Sequence, residues 1–217
     1  MSFSFSFGQD NDSLFAPIKE KEPLIFKGIK LGVNVGRFSD FLFKPERFSY
    51  EGSIDLNFSH KYYGVIEVGY SEIQLEEDNY NYYSDGYFYK IGMDYNMLKK
   101  HPTDYLGMGF RIGRADYKHY ANNVIIEDDQ WGISTESISI DSRSYSTYWL
   151  EASFGIKGEL LKNVYFGWAA TVKIAVSGRK DPDFQPIDIP GFGKGTNTVN
   201  LGANYYIYYQ IPFNRNK

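Results

Sequence analysis

The 217-residue sequence predicts an all-β protein, an eight-stranded antiparallel up-and-down transmembrane β-barrel with short periplasmic turns and longer extracellular loops. Three observations predict it. Apolar and polar residues alternate strictly through segment after segment, the period of a strand with two unlike faces. There are eight such segments, an even number, and the connections between them alternate long and short, as hairpins of an outer-membrane barrel do. The composition is rich in the residues such strands use, with 20 Tyr, 17 Phe and 21 Gly.

The mean hydropathy of −0.44 excludes a helical membrane protein, since no apolar run approaches the ~18 residues a spanning helix needs. It does not exclude a barrel, whose lipid-facing and lumen-facing residues cancel in the average. A formal charge of −4 without a basic patch gives no reason to expect nucleic acid. With no cysteine, disulfides, thiolate catalysis and cysteine metal sites are absent.

The chain divides into four parts. Residues 1–8, MSFSFSFG, read as the remnant of an export signal, with Ser6 and Gly8 at the positions a signal peptidase inspects. Residues 9–24, with Pro17, Pro23 and the run Lys19-Glu20-Lys21-Glu22, read as a periplasmic tether, either a solvated leader or a docking peptide. Residues 25–213 make the barrel and 214–217 a C-terminal tail.

Within the barrel, the first strand turns Ile29, Leu31, Val33 and Val35 to one face, and the second turns Phe48, Tyr50, Ile54, Leu56 and Phe58 the same way. The third follows a short turn at 59–61 and presents Ile66, Val68 and Tyr70. A Tyr-rich polar loop is expected at 76–86. The fourth strand presents Tyr87, Tyr89, Ile91, Met93 and Tyr95, and the fifth Leu106, Met108, Phe110 and Ile112. From 117 to 142 the alternation weakens, which predicts an acidic loop. The sixth strand presents Tyr148, Leu150, Ala152, Phe154 and Ile156, with Thr147, Trp149, Glu151, Ser153 and Lys157 opposite. After a tight turn the seventh presents Val164, Phe166, Trp168, Val172 and Ile174. A Pro/Gly-rich loop at 178–195 leads to the closing strand, 199–213, expected to pair with 25–38 and remove both sheet edges.

Alternation alone does not say which face is inward, and a soluble lipocalin-like barrel would bury the apolar face. The small Gly and Ser residues on the polar face suit a narrow lumen, and Tyr and Phe near the strand ends of the apolar face suit interfacial girdles. The polar face is therefore assigned to the inside. Eight strands leave room there only for side chains. The inward charges Lys30, Glu51, Asp55, Glu67, Lys90, Asp94, Arg111, Glu151 and Lys173 must then satisfy one another, as a luminal polar network in place of a channel.

The closing strand, with Tyr205, Ile207, Tyr209, Ile211 and Phe213 on one face, resembles the C-terminal signal strand of bacterial outer-membrane barrels, except that four residues follow Phe213. From the first strand to the eighth the chain resembles small barrels of the OmpX and OmpA-transmembrane type. Its Tyr-rich strands and YYIYYQIPF ending are similar to uncharacterised barrel families of Bacteroidota, and Asp12-Ser13-Leu14 looks like the short O-glycosylation motif of that group. The resemblance implies a bacterial outer-membrane location with both termini periplasmic, and no agreed activity.

No cofactor or metal site is indicated by spacing. The loop acids Glu127, Asp128, Asp129, Asp181, Asp183 and Asp188 read as solvated, with calcium as the alternative. His60 and His101 fall in periplasmic turns, so only His119 beside Asp116 offers a catalytic pair near the outer rim. The loop 178–195 is the candidate partner contact, through Asp181, Phe184, Ile187 and Phe192, joined by Trp131 of the other long loop. Its alternative is a loop folded over the barrel mouth. The expected function is a non-enzymatic barrel that serves as a subunit of a larger envelope complex, whose partners are outer-membrane lipid and other outer-membrane or periplasmic proteins. A free-standing surface barrel and an outer-leaflet lipid-modifying or proteolytic enzyme are the other two readings.

Overall fold

The computed structural model describes residues 28–37, 46–59, 61–78, 80–98, 104–126, 136–178 and 185–211. The expected signal remnant, tether, C-terminal tail, the Asp12-Ser13-Leu14 motif and the residues His60, His101, Glu127, Asp128, Asp129, Trp131, Asp181, Asp183, Phe184 and Phe213 lie outside them.

Eight strands close into one antiparallel barrel: β1 (Gly28–Asn34), β2 (Arg47–Asn57), β3 (Tyr62–Glu77), β4 (Tyr80–Asn96), β5 (Tyr105–Ile126), β6 (Glu136–Leu161), β7 (Val164–Ser177) and β10 (Val199–Ile211). Two short strands, β8 (Asp188–Ile189) and β9 (Gly193–Lys194), pair inside the β7–β10 connection. Each barrel strand pairs with its sequence neighbour, and β10 closes the ring by pairing Tyr206 to Ile211 with Asn34 to Ile29.

The register sets the shape. Leu31, Ile54, Ile66, Ile91, Ile112, Leu150, Ile174 and Val199 are successive cross-strand partners, one outward residue on every strand. Leu31 itself pairs with Tyr209 on β10, so the row returns ten residues out of step. A stagger of ten residues over eight strands tilts them by about 40° from the barrel axis.

The faces are inverted relative to a soluble barrel. That row is solvent-accessible, with Ile91 62% and Ile112 53% exposed, while Glu51, Lys90 and Glu151 are buried. Outward aromatics flank the band at both ends: Tyr62 and Tyr95 meet near the turns, and Tyr50, Tyr70 and Tyr87 form a run with centroids 5.6 and 5.0 Å apart toward the opposite end.

Two expected loops are largely strand over their described residues. Residues 76–86 continue the β3–β4 ladder to Glu77↔Tyr80, and 117–142 contain the outer halves of β5 and β6, with bulges after His119 and Ala121. Alternation fades there because the outer face becomes polar beyond the apolar band while the inner face takes aromatic residues such as Tyr82 and Tyr117, and backbone pairing continues. The expected alternation of long and short connections does not hold, since β3 and β4 are joined by residues 78–79 alone. The closing pair is also shorter than expected: β1 ends at Asn34, and Gly36 and Arg37 leave the sheet in a helical turn.

Candidate functional site

The interior is filled in three layers, each assembled from inward residues of several strands. At the turn end lie Tyr165, Tyr206 and Tyr208, with Tyr63 and Tyr105 edge-to-face at 5.9 Å. Lys30 places its Nζ 3.6 Å from the centroid of the Tyr165 ring. Gly32 and Gly113 show why inward glycines recur: a Cβ on Gly32 would fall within the Tyr208 ring, and one on Gly113 within the Trp149 indole. Each bulky ring takes the space its cross-strand partner leaves empty.

The middle layer is ionic. Lys90 Nζ lies 2.8 Å from Glu51, 2.5 Å from Glu67 and 3.9 Å from Glu151. Arg111 binds Glu67 at 2.9 Å and Asp94 at 3.1 Å, and donates to Ser153 Oγ at 2.6 Å. Lys157 joins Asp55 at 2.5 Å and Asp94 at 3.3 Å. Glu51 also accepts from the Tyr206 hydroxyl and from Asn34 Nδ2, and pairs with Arg37 at 3.4 Å. The structure therefore brings Glu51, Asp55, Glu67, Lys90, Asp94, Arg111 and Glu151 into one connected set. Lys30 and Lys173 stand at its two ends, the latter donating to the Gly191 carbonyl at 2.6 Å. Lys157, Arg37, Asn34 and Tyr206 belong to the same set but were missing from the sequence assignment. Inward parity on β6 and β10 was the available signal for Lys157 and Tyr206. A residual cavity of about 20 Å³ beside Arg111 and Asp94 has room for a single water.

The third layer is a plug. β8 and β9 fold back into the mouth, where Ile189 and Phe192 pack with Phe88, Ala115, Tyr117 and Trp149. The Phe192 ring lies 5.8 Å from Trp149, and the Ile187 amide donates to the Tyr82 hydroxyl at 3.1 Å. Gly191, at φ +72°, makes the turn against the Phe88 ring. Phe192 is thus corrected from a partner contact to a core residue of the plug: only 1% of it is exposed, because its ring finds apolar partners in Phe88 and Trp149. Ile187 is half-buried. Asp188 pairs with Arg47 at 3.6 Å, and burial raises its carboxyl above the usual aspartate range, with Arg47 opposing.

The His119–Asp116 pair does not form. Residues three apart on a strand face opposite ways, so His119 is buried among Tyr82, Tyr117 and Tyr145, while Asp116 turns outward to Arg114 at 2.7 Å.

A family profile described as a domain of unknown function, DUF6048, matches residues 4–216. The chain belongs to this family. No curated protein matches it. Among solved structures it is similar to the attachment invasion locus protein Ail of Yersinia pestis, at 10% identity over 85% of this chain and 97% of that one, with a TM-score of 0.42. It is also similar to the N-terminal β-barrel domain of Pseudomonas aeruginosa OprF, at 9% identity over 86% and 98%, with a TM-score of 0.34.

Proposed function

We propose that the protein is an integral outer-membrane barrel that transports nothing through its centre and works as a non-enzymatic structural subunit of a larger envelope complex. The observation that carries this reading is the sealed interior: Tyr layer, ion layer and plug fill the lumen in series, so what the barrel offers is its outer surface. The outward apolar band between aromatic girdles supports a lipid environment. In this reading both termini and the short turns are periplasmic, and the β3–β4 and β5–β6 hairpins project outside.

A free-standing surface barrel is favoured by those same hairpins, whose Tyr83 and Tyr120 stack at 4.9 Å beyond the apolar band. Extraction from native membrane at low detergent, followed by size analysis, separates the two readings. The subunit reading expects the protein in an assembly well above 25.1 kDa plus micelle. A barrel that runs alone contradicts it.

A further inference from the structure

The outward apolar band is not equally tall around the barrel. Strands tilted by about 40° climb about 2.5 Å per residue along the barrel axis. The apolar run therefore spans about 15 Å on β5, from Leu106 to Ile112, and about 20 Å on β3, from Tyr62 to Tyr70. On β7, from Val164 to Val176, and on β10, from Val199 to Ile211, it spans about 30 Å.

Charges close the short runs at both ends, Asp104 and Arg114 on β5, Lys61 and Glu72 on β3. Arg114 reaches away from the apolar run to Asp116, which also accepts from Ser146 Oγ. The outward positions of β7 and β10 carry no charge, and their outer ends stand clear of the rest of the chain, with Val176 61% and Leu201 80% exposed. Ile112 is in register with Leu150, and Leu150 with Ile174. A stagger of ten residues over eight strands makes two strands worth about 2.5 residues, so Asp116 and Val176 come to nearly the same height, as do Asp104 and Val164. The same two levels are thus ionic on β5 and aliphatic on β7.

Tilting the whole barrel does not remove this mismatch, because tilt moves both ends of a strand's apolar run together. A flat bilayer of one thickness would leave Val164 and Val176 in water, or draw Asp104, Arg114 and Asp116 into hydrocarbon. Bending the lipid is the less costly solution, since thickness adjusts at a small cost per ångström, while a lipid-facing charge or a bare aliphatic surface costs more.

We propose that the barrel holds an uneven bilayer, thin beside β3–β5 and thick beside β7 and β10. Lipid covers both sides, and its chains shorten along one and extend along the other. The barrel then contributes a thinned strip of outer membrane, beside the projecting β3–β4 hairpin, to the complex it serves. This proposal rests on the membrane reading above.

Nitroxides on Asp104→Cys, Asp116→Cys, Val164→Cys and Val176→Cys, each in the full chain reconstituted into dioleoylphosphatidylcholine vesicles, test it. Relaxation at 164 and 176 should be enhanced mainly by oxygen, and at 104 and 116 mainly by a water-soluble nickel chelate, although the two pairs share their heights. Lys61→Cys and Glu72→Cys on β3 give the same reading as the β5 pair if Asp116→Cys fails to fold. Chelate-dominated relaxation at 176, or oxygen-dominated relaxation at 116, means a bilayer of one thickness and overturns the proposal. A label at 176 shielded from both reagents overturns it in favour of protein contact on the tall side. A label at Ile112→Cys that lies in water fails the membrane reading instead.

Discussion

Lys90 on β4 reaches past β3 to Glu51 on β2, with an Nζ–Oε1 distance of 2.8 Å and neither side chain exposed. Both ions have left water and are held by opposite charge, Glu51 also by Arg37, and Lys90 also by Glu67 and Glu151. Lys90→Met leaves Glu51, Glu67 and Glu151 around an uncharged centre. The expected loss is about 3–5 kcal/mol, read as a lower urea midpoint of the barrel in detergent. Adding Glu67→Gln should restore part of it, because the two residues share one set of partners.

The Gly113–Trp149 pair makes a steric prediction. Gly113→Ala places a methyl in the indole and should cost about 1–3 kcal/mol. Trp149→Phe in the same chain should recover part of that loss, which a double-mutant cycle on unfolding midpoints measures.

The plug should respond to pH through Asp188. Its carboxyl is raised by burial in the docked loop, so docked protein holds the proton at a pH where undocked protein has released it. Docking then tightens as pH falls through the window between the raised value and the ordinary aspartate value, and levels off below it. Arg47, Arg37 and Lys173 all act on this group in the opposite sense and set where the window ends. Hydrogen exchange of residues 185–195 should slow across the window, and Asp188→Asn should remove the slope.

Loss of the plug should not create a channel. Phe192→Ala weakens the mouth cluster by about 3–5 kcal/mol if the site does not collapse. The Lys90 and Arg111 layer beneath it remains closed, so planar bilayers should show no steady open conductance from this variant or from the wild type.

Much of the fold was legible because a strand's period is strict: one parity of Ile54, Ile66, Ile91 and Ile112 assigns a face to each strand, and the opposite parity assigns Glu51, Glu67 and Lys90. The outer ends of β3 to β6 were not, since Glu76, Glu77 and Asn81 are polar on both faces and hydropathy then carries no period. The direction of Phe192 was not legible either, because a connection has no alternating rule to say which side is in. Lys157 and Asp55 are 102 residues apart, and only the closing register brings them together.

In a membrane barrel the apolar face looks into lipid and the charged face into a sealed lumen. The chain has no cysteine, so a single nitroxide can be placed at Ile112→Cys in protein reconstituted into vesicles. Its relaxation should be enhanced by oxygen, which concentrates in hydrocarbon, and hardly at all by a water-soluble nickel chelate. Strong enhancement by the chelate with little by oxygen would place Ile112 in water and contradict the membrane barrel.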